Sequence, residues 1–447
     1  MAERNSPLIL GTEPIGKLLI QYSVPAIIAM TVTSLYNIID SIFIGHGVGA
    51  LAIAGLAITF PLMNLVVAFC TLVGIGGATI SSIFLGQKDK VRATEVVHNV
   101  LIMCIINAVC FGGLTFLFLD SILLFFGASH DTLPYARDFM QVILLGTPIT
   151  YVFIGLNNVM RATGYPRKAM FSSLLTVGCN IILAPIFIFS FDWGIRGAAL
   201  ATVVSQTVAM VWVLVHFANK KNFIHFDRRY SRLKVRVVAK IFSIGMSPFL
   251  MNVCACVVVI FINNALQHTG GDLAIGAYGI VNRTLMLFVM IVMGITQGMQ
   301  PIVGYNYGAK QYERVRKTLR YGITVGFVLS ELFPHAIVAM FTTSEELVDL
   351  SVTGLRISCA MFPFVGCQIV ISNFFQSIGR APVSIFLSLS RQLLFLLPLL
   401  LILPTYWSTN GVWLSMPISD FIAFVIAVMA LWIHQRKIRQ KFQTVQS

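Results

Sequence analysis

Leu51-Ala52-Ile53-Ala54-Gly55-Leu56-Ala57-Ile58 recurs as Leu273-Ala274-Ile275-Gly276-Ala277-Tyr278-Gly279-Ile280, a shift of 222 residues from 51 to 273. At the same shift Gly76 meets Gly298, Gly86 meets Gly308, Lys88 meets Lys310 and Arg92 meets Arg314. The copies fall in the two halves of a 447-residue chain. Each copy begins an apolar stretch that ends in a basic loop. Duplication of this kind is how many secondary transporters build a central site at the seam between repeats.

Around these copies the chain is 57% hydrophobic and 11% charged, a balance that excludes an ordinary soluble domain. Twelve apolar runs are each long enough to cross ~30 Å of hydrocarbon. They cover 15–44, 51–84, 94–119, 134–158, 168–190, 195–218, 238–266, 274–306, 318–341, 350–376, 383–404 and 411–434. The first carries Asp40 and no small-residue cleavage site, so it reads as a span and not as a secretory leader. The expectation is an all-α integral membrane protein: twelve transmembrane helices in two pseudo-symmetric six-helix lobes around a central cavity.

The net charge of +14 has the magnitude of a nucleic-acid binder, but its placement argues against one. Basic residues collect in the tails and in alternate loops, around Lys88–Arg92, Arg161–Lys168, Lys220–Lys240, Lys310–Arg320 and Arg380. The loops between hold Asp120, Asp131, Asp192, Asp272, Glu345, Glu346 and Asp349. This alternation follows the positive-inside rule and puts both termini in the cytoplasm. The basic segment 220–240 separates residues 1–219, with six runs, from 241–447, with six more. An even number per half gives both halves one orientation, so their symmetry axis lies along the membrane normal.

All eight cysteines fall inside apolar runs, which implies packing roles and no disulfide framework. No phosphate-cradling loop, nucleophile–base pair or metal-ligand cluster is recognisable, so an enzyme is not expected.

A charge within a membrane helix costs ~2.5–3.5 kcal/mol or more at mid-span, so each is a functional candidate. The candidates are Asp40, Arg283, Glu331, Arg391 and Asp420. Asp40 has no cation nearby in sequence, and Tyr36 lies one turn back on its face. A carboxyl there either exchanges a proton or is a structural group bonded to a neighbouring helix. Arg391 with Asp420, and Arg283 with Glu331, read as structural charge pairs, although Glu331 could instead face the cavity. Met286, Met290, Met293 and Gln297 share a helical spacing that suits either a promiscuous apolar site or plain packing.

These features together resemble the multidrug and toxic compound extrusion (MATE) transporters, over nearly the whole chain and most closely the bacterial branch. The resemblance is carried by Tyr36-Asn37-x-x-Asp40, by Gly86-x-Lys88-Asp89 and its echo Gly308-x-Lys310, by Arg161-Ala162-x-Gly164, and by Asn180-Ile181-Ile182-Leu183-Ala184-Pro185. It implies cation-coupled efflux of small amphipathic, often cationic drugs or toxins by alternating access. The protein would be a monomer in the lipid of a bacterial inner membrane, with no cofactor beyond the coupling ion. The coupling site it implies uses Asp40, Tyr36, Asn180 and Thr202, and Asn157 is a cavity position. Relatives commonly place an Asp where this chain has Ala184. Its loss weakens a sodium site at Asp40, Asn180 and Thr202, which leans the expectation from Na+ towards H+. A major-facilitator transporter, or a lipid-linked polysaccharide flippase of the same wider superfamily, are the alternatives.

Overall fold

The computed structural model describes residues 7–338, 357 and 361–446. Its first half is a run of helices: α1 (Ile15–Gly47), α2 (Ala50–Gly86), α3 (Lys90–Leu117), α4 (Leu133–Leu145), α5 (Thr147–Ala162), α6 (Pro166–Pro185) and α7 (Gly194–Ala218). α4 and α5 meet at a 56° bend and together cover the fourth apolar run. A π-helical turn, Ile186–Ser190, extends α6 beyond Pro185. The second half comprises α8 (Val235–Gly308), α9 (Tyr312–Val338), α10 (Phe362–Ser377), α11 (Ala381–Leu389) and α12 (Leu397–Gln446). A π-helical stretch, Ser390–Leu396, joins the last two. α12 breaks at Trp407 and Ser408, which divides it where the sequence separates its last two apolar runs.

α8 is the departure from expectation: its backbone is helical across the boundary that the sequence suggests near 267–273. At 1.5 Å per residue, 74 residues are far longer than a bilayer is thick. Yet both ends pack on the same end of α2, with Gly245 against Leu72 and Gly308 against Ile83. The segment therefore leaves and returns to one side, as two spans. The described helices account for all twelve apolar runs, apart from the end of the ninth and the start of the tenth, which lie outside the described residues. The fold is all-α and membrane-spanning, with twelve spans in two halves.

The duplication is written into the contacts. A methyl group on Gly86 would overlap the carbonyl of Tyr305, and one on Gly308 would overlap the carbonyl of Ile83. Positions 83 and 86 correspond to 305 and 308 under the shift of 222, so α2 and α8 meet reciprocally, backbone on backbone. Gly76 against Gly245 and Gly298 against Ser23 form a second related pair. Both helices then stop in the same way. Lys88 (φ 61°) and Lys310 (φ 60°) take the left-handed conformation. Asp89 N–H donates to Phe84 O and Gln311 N–H to Asn306 O, each at 2.9 Å. This satisfies the last carbonyls of each helix.

The apolar core is divided unevenly. On the basic-loop side one buried cluster crosses the halves, joining Leu18, Tyr22, Val73 and Phe84 to Ile241, Ile302, Val303 and Tyr305. On the acidic-loop side the clusters are separate: Ile44, Ala52, Leu62 and Ile188 belong to the first half, and Val258, Leu266, Val412 and Trp413 to the second. The halves are packed together at one side of the membrane and parted at the other.

The segment between α7 and α8 is held to the first half. Lys234 N–H donates to Asn99 Oδ1 at 2.9 Å, Lys234 Nζ pairs with Glu95, and Asp227 N–H donates to His98 Nε2 at 3.3 Å. Within it, hydrogen bonds from the Arg229 side chain and backbone pull the Asp227 carboxyl down to about 2. Residues 235–240 are already helical.

Inserting a β-branched side chain at the reciprocal crossing overpacks a rigid contact, an effect of ~1–3 kcal/mol. Gly86→Val is expected to lower the thermal unfolding midpoint of the detergent-solubilised protein. Gly113→Val, where no atom lies within 4 Å of the new Cβ, leaves it unchanged.

Candidate functional site

The residues expected to couple an ion converge from three helices of the first half. Tyr36 on α1, Asn180 on α6 and Thr202 on α7 form a closed triangle. Tyr36 Oη lies 2.9 Å from Thr202 Oγ1, and Asn180 Nδ2 donates to Thr202 Oγ1 at 3.0 Å and to Tyr36 Oη at 3.2 Å. Thr202 Oγ1 also reaches back to Ala198 O at 3.2 Å, one turn earlier on its helix. With its proton on that carbonyl, Thr202 must accept from both partners. Tyr36 then donates to Thr202 and accepts from Asn180. The Thr202 hydroxyl is thereby saturated.

Asp40 stands one turn beyond Tyr36 and is 8% exposed. Its Oδ1 is buried with no hydrogen-bond partner among the described residues. Burying a carboxylate oxygen in that condition is costly unless something neutralises it. Ala184, one turn after Asn180, is fully buried among Ile44, Ile188 and Ala198. A methyl group therefore occupies the place where a second acid would enter. Ile44, one turn beyond Asp40 on α1, belongs to the buried cluster on the side where the halves are parted.

The remaining candidates are scattered. Arg391 Nε lies 2.7 Å from Asp420 Oδ1, as an ion pair of the second half at the π-helical stretch. Asn157 donates to Ala169 O at 3.0 Å and to Ser172 Oγ, so its amide N–H groups are used in packing α5 on α6. Met290 is half-buried on α8. Gln297 accepts from Arg161 Nη1 on α5 and lies 3.6 Å from Met30 Sδ on α1. It thus spans the seam between halves. The side chains of Arg283, Met286 and Glu331 lie outside the described residues. Arg161 was legible as a loop charge within a family turn but not as a contact, because Asn158 lies one turn back on the same helix while Gln297 is brought to it by the other half.

A family profile described as MatE matches residues 25–186 and 244–402, one match in each half. The chain belongs to the MatE family. Among its MATE relatives, the multidrug export protein MepA of Staphylococcus haemolyticus is 28% identical over 429 residues, covering 94% of this chain and 93% of its own. MepA of Staphylococcus aureus is 27% identical over 430 residues, with 94% of each covered. Of solved structures, the MATE multidrug transporter DinF-BH, solved as a complex, is 37% identical, superposes with a TM-score of 0.86 and covers 94% of this chain and 96% of its own. An outward-facing MATE transporter of the MOP superfamily shares the fold at a TM-score of 0.90 and 23% identity, covering 97% of this chain and 98% of its own. These similarities put the chain among membrane transporters.

Thr202→Val removes the acceptor that both Tyr36 and Asn180 use, and leaving buried donors unmatched costs ~1–3 kcal/mol. Its destabilisation and that of Tyr36→Phe are expected to be sub-additive in a double-mutant cycle read by thermal unfolding, because each breaks the same bond.

Proposed function

We propose that this MATE transporter exports small amphipathic, often cationic drugs by antiport against protons. The observation that carries the reading is the unpartnered Asp40 oxygen beside a triangle in which the Tyr36 and Thr202 hydroxyls are already hydrogen-bonded to each other and to Asn180. The names of the relatives, multidrug export proteins and a multidrug transporter, support drug efflux.

The choice of proton over sodium follows from donors. Sodium needs several hard oxygens around it, as other hard cations do. Here the Tyr36 and Thr202 oxygens are engaged with each other and with the Asn180 amide N–H, and Ala184 contributes none, so of the expected ligands only the Asn180 amide oxygen and Asp40 remain. Two ligating groups are few for sodium, whereas a carboxylate needs only one proton to become neutral. In the outward-open arrangement, with the basic loops in the cytoplasm, a proton arriving from outside reaches Asp40 and removes its charge. The lobes, residues 1–219 and 241–447, then rock about the seam until the cytoplasm can take the proton and supply drug. Both termini lie in the cytoplasm in this reading, and the unit is a monomer in a bacterial inner membrane.

A ligand shifts such an equilibrium only through its different affinity for the two states. Neutral and charged Asp40 provide that difference, because the charged form favours whichever state hydrates it. One charge crossing 100 mV supplies ~2.3 kcal/mol, enough for a drug gradient of tens-fold.

In proteoliposomes with proton and sodium gradients imposed separately, drug efflux should follow the proton gradient and ignore sodium at constant pH. Asp40→Asn should lower proton-driven accumulation by at least ~10-fold, the loss of that ~2.3 kcal/mol. Efflux by Asp40→Asn at the parent rate would overturn the assignment, and sodium-driven efflux would overturn the ion.

A further inference from the structure

Alternating access requires that the packed side of the seam open, and one cluster there is built of groups that can let go. Arg161, at the end of α5, is half-buried. Its Nη2 donates to Asn158 Oδ1 at 2.5 Å, and Asn158 Nδ2 is itself fixed to Ile154 O at 2.9 Å. Its Nη1 donates across the seam to Gln297 Oε1. No carboxylate of the described residues lies within ion-pair distance of Arg161. The guanidinium is thus held by neutral amide oxygens alone. Gln297 also touches Met30 on α1. One turn along α8, Gln300 Nε2 donates to Thr79 Oγ1 of α2. Gly298, beside Gln297, rests on the backbone of Ser23. Three elements of the first half therefore meet the second half around Gln297.

We propose that Arg161 and Gln297 are the releasable latch of the gate on the basic-loop side, with the neutral acceptor at 297 setting its strength. The proposal rests on the alternating-access reading. The two residues sit on opposite halves, so that side cannot open without parting them. A charge-assisted hydrogen bond to an amide is stronger than a neutral one, but it breaks more readily than an ion pair sealed from water. Glutamate at 297 would hold the gate shut; glutamine lets it cycle. Met30 and Asp40 share α1 about 15 Å apart along the axis, so the helix that carries the acid is also gripped at the latch.

The test reads the gate itself, without drug or gradient. In a variant freed of its native cysteines, Ser82→Cys provides a reporter fully buried on the closed side, and its labelling by a membrane-impermeant maleimide is timed in detergent. Gln297→Ala should speed labelling about tenfold, the population change that loss of one charged hydrogen bond produces. Gln297→Glu should slow labelling below the parent and slow drug turnover in proteoliposomes. Equal rates in all three overturn the proposal. So does faster labelling in both variants, which would mean that Gln297 only fills space. Because labelling needs no coupling ion, this pattern can hold even where Asp40→Asn leaves efflux intact, and the two assignments fail separately.

Discussion

Two glycines hold the geometry of this transporter. At Gly86 and Gly308 the backbones of α2 and α8 come so close that no side chain fits, each against the carbonyl of the other's partner residue. Helices in lipid gain nothing from burying apolar surface against each other, so close backbone approach and van der Waals contact are what bring them together. That the contact is reciprocal under a fixed residue shift makes it the pivot of the internal symmetry. The related pairs at Gly76 and Gly298 fix the crossing a few turns further into the membrane. The capped turns at Lys88 and Lys310 end both helices at matching points. The single core cluster of the basic-loop side grows from this crossing.

Against that rigid side, the other side is looser by construction. Its two apolar clusters do not touch across the halves, and it is there that the Tyr36–Asn180–Thr202 triangle and Asp40 are found. The triangle is a closed set of hydrogen bonds and stiffens its three helices against one another. Asp40 is left out of it. A site that places one ionisable group beside hydroxyls already bonded to one another makes the charge of that group its chief variable.

Much of this could be read from residues alone, because the membrane makes the sequence speak plainly. Lipid forces long apolar runs, loop charge fixes their direction, and a repeated Leu-Ala-Ile segment exposes the duplication. Asp40 was legible because it is a charge where none is cheap. Less legible were the π-helical turns after Pro185 and before Leu397. Those depend on tertiary packing that no local pattern encodes. Asn157 carries the right chemistry for a cavity, but its amide N–H groups are spent on a neighbouring helix. Arg161 was visible as a basic loop residue and as part of a family turn, but its contact could not be read, since it depends on a glutamine 136 residues away.

The connection between the halves adds one consequence. Its far end is strapped to α3 through Lys234, Asn99 and Glu95, and its middle through His98. It therefore provides no slack. The earliest point at which the second half can hinge is the foot of α8, immediately after Lys234, and the linker stays with the first half. What looks like a floppy tether in the primary structure is closer to a bracket, and it restricts the lobes to swinging rather than drifting apart.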